Sequence, residues 1–320
     1  MQTPTAAGSL TKVLLAFAGI YVIWGTTYLA IALSIRTLPP FTSGGLRFLT
    51  AAALMFAWLR WRERRPFAGI DLKRAALCGM LLTGFGNGLV VWAQQGVPSG
   101  IAALLVAAIP IFIIAVEYFF FAGRLPQPRA VLGMFIAVVG VVVIVTQTGS
   151  LSARNLTGAA KPIYIVAILL AVLSWSFGTL LQRQAGIKPD RIIAFTCAQI
   201  FFGALLQLTL ATLNGEWRVL DLGHVSMTSI AAVAYLIVFG SVIALSCYSW
   251  LLTRVAPQKV ATYALVNPVV ALALGAIVLG EKISVSSLFA AMGVLLGIGL
   301  VLFPGWRRRS LNAASANEAA

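Results

Sequence analysis

Arg47 and Glu117 each interrupt a long apolar run in this sequence. An ionisable group in hydrocarbon is costly and must have a partner or a task. Arg47 follows Phe41, the start of its run, by six residues, which places it about 9 Å deep at a helical rise of about 1.5 Å. It is either a counter-charge for a substrate carboxylate or a structural arginine that binds carbonyls between helices or reaches the headgroups. Its counterpart in the second half of the chain, near Gln199, is also only polar, which favours the structural role. Glu117 stands about one helical turn from the end of its own run. It is either a proton carrier or, more simply, a carboxylate reaching the interface near Arg124 or Arg129.

The residues of hydrolytic or metal chemistry are missing. There is one histidine, His224, and neither an HExxH nor a GxSxG pattern. No pair of carboxylates occurs in the apolar runs, and Cys78, Cys197 and Cys247 have no metal-ligand spacing. The cysteines read as small buried hydrophobes. An enzyme is therefore not expected, and no cofactor or metal is implied. A channel would need charge rings or a carbonyl filter, and none is visible.

The elements that hold these residues follow from composition. The chain has 320 residues, of which 60% are hydrophobic and only 10% charged, where a soluble domain has about 25% charged. Apolar runs of about 20 residues, enough to cross a bilayer core of about 30 Å, recur along it. Ten are expected, at 12–33, 41–61, 74–93, 99–121, 129–146, 163–182, 191–213, 226–252, 258–279 and 284–303. The fold expected is an all-α polytopic membrane protein. The first run follows Lys12 and is too long for a signal-peptide core of about 7–15 residues, so it reads as a retained span. The tail, 304–320, is expected to be cytoplasmic and disordered.

Orientation comes from the basic residues. With the N-terminus inside, seventeen Lys and Arg face the cytoplasm and five the outside, Arg47 being left within a span. Both termini are thus expected in the cytoplasm. The net charge of +15 reflects this distribution at span ends rather than nucleic-acid binding.

The two halves also match. A shift of 158 carries Trp92 to Trp250, Pro110 to Pro268 and Gly123-Arg124 to Glu281-Lys282, and a shift of 151 carries Trp24 to Trp175. Five spans per half, an odd number, invert the second repeat (163–303) relative to the first (12–146). Inverted repeats place a substrate site near the midplane and expose it to either side in turn. Pro110 and Pro268 then read as paired mid-span hinges, since each deletes a hydrogen bond to the carbonyl four residues back, Val106 and Ala264. Gly84, Gly86, Gly88, Gly293 and Gly297 read as close-packing positions, with local unwinding at Gly84 to Asn87 as the alternative.

Several motifs resemble one family. Ile23-Trp24-Gly25-Thr26-Thr27, Leu38-Pro39-Pro40 and Leu46-Arg47-Phe48 are similar to the opening of EamA domains, and Asn267-Pro268 and Leu279-Gly280-Glu281-Lys282 to their later part. The resemblance covers about residues 12 to 303 and both repeats, and places the chain in the drug/metabolite transporter superfamily. It implies a bacterial inner-membrane exporter of amino acids, related metabolites or drugs, with a cavity lined by spans 1, 3, 4, 6, 8 and 9. The first repeat departs from the family's Gly-Glu-Arg-like ending, reading Gly123-Arg124 with its acid earlier, at Glu117.

On the implied lining spans, Trp24, Thr27, Tyr28, Asn87, Trp175, Tyr248, Tyr263 and Asn267 are the candidate cavity residues. Ser174, Thr179, Gln95, Trp92 and Trp250 accompany them, the last two reading as interfacial. A mostly apolar cavity with a few hydrogen-bonding groups suits small amphipathic solutes. The expected function is an alternating-access carrier of such metabolites, amino acids foremost. The alternatives are multidrug or toxin efflux and an ion-coupled importer. The expected partners are a small-molecule substrate and membrane lipids, and a monomer suffices because one chain holds both repeats.

Overall fold

The computed structural model describes residues 6–97, 99–121, 127–147, 162–270 and 285–302. All of the long described elements are helices, as hydrocarbon demands of backbone that must satisfy its own hydrogen bonds. In chain order they are α1 (Ala6–Ser34), α2 (Pro40–Arg62), α3 (Leu72–Ala93), α4 (Ser99–Val106), α5 (Ile109–Phe120) and α6 (Pro128–Gln147). Then follow α7 (Pro162–Gln184), α8 (Ile192–Leu213), α9 (Met227–Leu252), the short α10 (Pro257–Val260), α11 over 263–270, and α12 (Val285–Leu302). Among the described residues, α1, α3, α7, α8 and α9 contain stretches long and apolar enough to cross a membrane.

Helix ends carry the expected chemistry. Pro40 opens α2, where its missing N–H is no loss, and Arg60 and Arg62 occupy its last turn. The Asp71 side chain caps α3 by accepting from the Arg74 N–H at 3.0 Å, and Ser226 caps α9 by accepting from Ser229 N–H at 3.1 Å. Large apolar side chains such as Leu14, Leu15, Phe289 and Leu296 point outward, which suits a lipid surround.

The helices pack in matching pairs: α2 on α8, α6 on α12, α1 on α9 and α3 on α7. At the α3–α8 contact the backbones nearly touch. A Cβ at Gly79 would collide with the Gln199 carbonyl, and one at Gly203 with the Thr83 side chain. The α2–α8 pair is tied at both ends. Near the α2 N-terminus the buried Glu216 carboxylate accepts from Phe41 N (3.2 Å), Thr42 N (2.7 Å) and Thr42 Oγ1 (2.8 Å). Near its C-terminus Arg191 pairs with Glu63 at 2.8 Å and donates to the carbonyls of Pro66 and Ala68.

Two helices are locally widened. α3 is a π-helix over Met80–Asn87 and α9 over Leu236–Ile243. Such segments are rare and gather at functional sites. The first covers Gly84 to Asn87, so that stretch is widened rather than unwound.

The proline reading needs correction at Pro110. The chain does not kink within one helix there. It turns at Ala107-Ala108, and Pro110 sits in the first turn of a new helix, α5. There its absent N–H costs nothing. The matching turn, at Ala261-Thr262, lies six residues before Pro268, which is buried within α11. Gly297 does pack closely, against the backbone of Gly133 and Ala137, whereas a Cβ at Gly293 would meet nothing within 4 Å. Gly123-Arg124, Glu281-Lys282 and the 304–320 tail lie outside the described residues.

Candidate functional site

A small cavity of about 70 Å³ lies where α1, α2, α3, α7, α9 and α11 meet, beside the α4–α5 turn. Seven of the eight expected cavity residues line it: Trp24, Thr27, Tyr28, Asn87, Trp175, Tyr263 and Asn267. Their spacing explains the convergence. Trp24, Thr27, Tyr28 and Ile31 recur at three or four residues and therefore share one face of α1. Thr83, Gly86, Asn87 and Val90 do the same on α3, across its π segment.

The eighth, Tyr248, does not line the cavity but packs behind its aromatic wall. It is fully buried, and its hydroxyl accepts from Trp175 Nε1 at 3.1 Å and lies 2.5 Å from Thr179 Oγ1. Its ring contacts those of Trp24, Trp175 and Tyr263. Trp24 is held from its other edge, Nε1 donating to the Gly240 carbonyl at 3.2 Å. Ser174, the residue before Trp175 on α7, donates to the Leu81 carbonyl at 2.8 Å and so locks α7 to the widened turn of α3.

Two amide oxygens of the cavity lining are left without partners among the described residues. Asn87 Oδ1 and Asn267 Oδ1 are buried and accept no hydrogen bond, while the Asn267 side chain reaches the Tyr28 hydroxyl. An unmatched buried acceptor costs about 1–3 kcal/mol, so each is suited to receive a donor from a bound molecule.

Arg47 is the charge at this site. It is 3% exposed and lines the cavity. Nε donates to Ser241 Oγ at 2.8 Å, and the Ser241 hydroxyl in turn donates to the Leu236 carbonyl at 3.0 Å, a five-residue reach that the π turn provides. The guanidinium carbon lies 4.6 Å from the Phe48 ring centroid. Gly240 makes room, since a Cβ there would stand 2.8 Å from Nη2. Neither Nη atom has a hydrogen-bond partner among the described residues, and no carboxylate pairs with the group. Among the described residues Arg47 thus binds a side chain of α9 rather than a helix carbonyl.

The family model for the EamA-like transporter family matches residues 11–146 and again 162–303. The chain belongs to that family. The inner membrane transporter YedA of Escherichia coli K12, itself uncharacterized, is 33% identical over 296 residues, covering 90% of this chain and 92% of its own length. A probable amino-acid metabolite efflux pump of Salmonella typhimurium is 27% identical over 301 residues, covering 91% and 94%. A solved crystal structure superposes with a TM-score of 0.70 at 18% identity, covering 91% of this chain and 97% of that one, which shows a shared fold. Membership makes the protein a membrane transporter and not an enzyme.

Outside the cavity this EamA protein keeps the other candidates apart. Glu117 on α5 is half-buried and accepts a hydrogen bond from the Gln258 side chain on α10. It makes no ion pair among the described residues, so the expected reach to Arg129 is absent; Arg129 instead donates to the Leu300 carbonyl at 3.4 Å. Trp92 packs on Tyr164 with centroids 4.8 Å apart, Trp250 lies under Arg254, and Gln95 is exposed. Cys78, Cys197 and Cys247 are free thiols, the first two buried. His224 is exposed and pairs with Asp221.

Sequence reasoning missed Gly240 and Ser241. The signal was there, a small polar pair breaking the apolar run Leu236 to Leu245, yet the run was read only as a span. It also missed Thr83 and the apolar lining from Ile31, Phe48 and Val90.

Proposed function

We propose that this chain is a secondary transporter of the bacterial inner membrane. It carries small amphipathic metabolites, amino acids or their derivatives foremost, and it carries them outward by alternating access. The observation that carries this reading is the cavity itself: aromatic walls, two unpaired amide oxygens, and a position at the meeting of helices from both matched segments. The matched packing of α1 on α9 and α3 on α7 supports two inverted repeats of five spans each, 12–146 and 163–303. With both termini cytoplasmic, the cavity is skewed toward the outer half of the bilayer, since its α1 and α3 residues lie late in those helices and Arg47 early in α2. The names of the relatives support inner-membrane location and amino-acid efflux. A single chain contains both repeats and works as a monomer.

Multidrug efflux of cations is disfavoured by the lining, which includes Arg47 and neither Asp nor Glu. Counterflow in proteoliposomes loaded singly with neutral amino acids, organic acids or cationic dyes tests the reading. Saturable exchange of a neutral amino acid is expected. Exchange of dyes alone would replace this reading with drug efflux.

A further inference from the structure

We infer that the unpaired guanidinium edge of Arg47 is the docking point for a substrate carboxylate, and that the carrier selects its cargo by that group. The inference deepens the proposed function and rests on it for transport, but not for binding.

The argument begins with what Arg47 lacks. A guanidinium has five N–H donors in a rigid fork, and among the described residues only Nε is engaged, by Ser241. That bond, the Phe48 ring and the space left by Gly240 fix the plane of the group. The remaining edge lines the cavity, whose described lining residues include no acid to meet it. An arginine retained only for structure would have its Nη atoms on carbonyls or a carboxylate. An edge positioned by its neighbours and left open matches the two oxygens of a carboxylate, which it can hold through paired charge-assisted bonds.

The rest of the lining fits the same cargo. Asn87 Oδ1 and Asn267 Oδ1 accept from nothing among the described residues and stand ready for N–H donors. A carboxylate at Arg47, an amine toward the amides and an apolar side chain among Trp24, Trp175 and Tyr263 describe a neutral α-amino acid. A simple amine offers the guanidinium no acceptor, and an amino-acid amide offers one neutral oxygen in place of two charged ones, so both should bind more weakly than the acid.

The test compares leucine and phenylalanine with leucinamide, phenylalaninamide and the corresponding decarboxylated amines. Each is measured as a competitor of counterflow and, separately, as a stabiliser of the purified protein against heat. The acids are expected to outcompete their amides by about tenfold or more in the wild type. In Arg47→Gln that ratio should fall toward one, and Arg47→Lys should restore part of it. Equal potency of acid and amide in the wild type, or an unchanged ratio in Arg47→Gln, would overturn the inference while leaving the transporter reading intact. If no compound exchanges but the acids still stabilise in an Arg47-dependent way, the docking point stands and the transport reading fails. If the acids neither exchange nor stabilise, both fall. Unliganded melting of each variant separates a folding defect from lost recognition.

Discussion

Trp24 and Trp175 meet edge to face, their ring centroids 5.7 Å apart and their planes at 82°. The two stand 151 positions apart, each on the first long helix of its half of the chain, so the contact joins equivalent residues of the two halves. Tyr263 closes on Trp24 at 4.4 Å between centroids, and Tyr248 at 5.2 Å. Replacing Trp24 by Ala should open a void and release the Gly240 carbonyl, at a cost of about 3–5 kcal/mol in folding free energy. Trp24→Phe should keep ring contacts, lose only the indole donor and cost about 1 kcal/mol. Thermal unfolding of the two purified variants checks the order.

Tyr248→Phe removes one oxygen from the aromatic cluster. It should leave Trp175 Nε1 without its acceptor at 3.1 Å, while Thr179 loses the hydroxyl at 2.5 Å and keeps its bond to the Trp175 carbonyl at 2.7 Å. A buried donor so stranded costs about 1–3 kcal/mol. Thr179→Val, measured alone and together with Tyr248→Phe, should show a coupling free energy that distant pairs lack. Additive losses would mean that the two hydroxyls act separately.

Much of this site could be read in the sequence because its residues obey one helix period and differ in kind from their lipid-facing neighbours. Trp24, Thr27 and Tyr28 stand out within an apolar run, and α1 turns all three inward together. Arg47 was visible as a charge with two possible roles, but its partner Ser241 was not, because that contact is set by α9 folding back across α2, which no local pattern contains. The π segments were equally hidden, since widening a helix depends on packing around Gly84, Gly86 and Gly240 rather than on propensity. Tyr248 shows the opposite error. Its type and spacing suit a cavity residue, yet its position on α9 turns it behind Trp175. Pro110 was legible as a break and misread as a kink, because the turn forms two residues before it.

Glycine substitutions should divide sharply by location. Gly79→Ala forces a methyl into the Gln199 carbonyl, backbone that cannot rotate away, so α3 and α8 must separate. A loss of folded yield is expected, or destabilisation beyond the 1–3 kcal/mol typical of overpacking. Gly293→Ala faces open space and should be neutral or mildly stabilising. Size-exclusion profiles and melting temperatures of the pair give the comparison.

The two ties on the α2–α8 pair should differ in strength. Glu216 is 6% exposed and accepts three hydrogen bonds at a helix N-terminus. Glu216→Ala should therefore cost about 1.5–3 kcal/mol. The Arg191–Glu63 pair is 22% and 35% exposed, so solvent and salt weaken it, and Glu63→Gln should cost less than about 1 kcal/mol. Melting at low and high salt should show the Glu63 effect shrinking and the Glu216 effect persisting. Equal losses would contradict the burial argument.

Glu117 is the one Asp or Glu within the long helices among the described residues, and its link to Gln258 joins α5 to α10. These helices belong to equivalent parts of the two halves, each next to a turn that breaks its span. A carboxylate there can give up its contact when it takes a proton, and so can couple a proton to the movement of one half against the other. On that mechanism Glu117→Gln should abolish flux driven by a pH gradient while sparing substrate exchange, because exchange needs no net proton movement. Gln258→Ala removes the partner and keeps the carboxylate, so it should retain gradient-driven flux at a changed rate. Loss of exchange in Glu117→Gln would instead make the contact a fastening between helices. Unchanged gradient-driven flux in that variant would remove Glu117 from the coupling altogether.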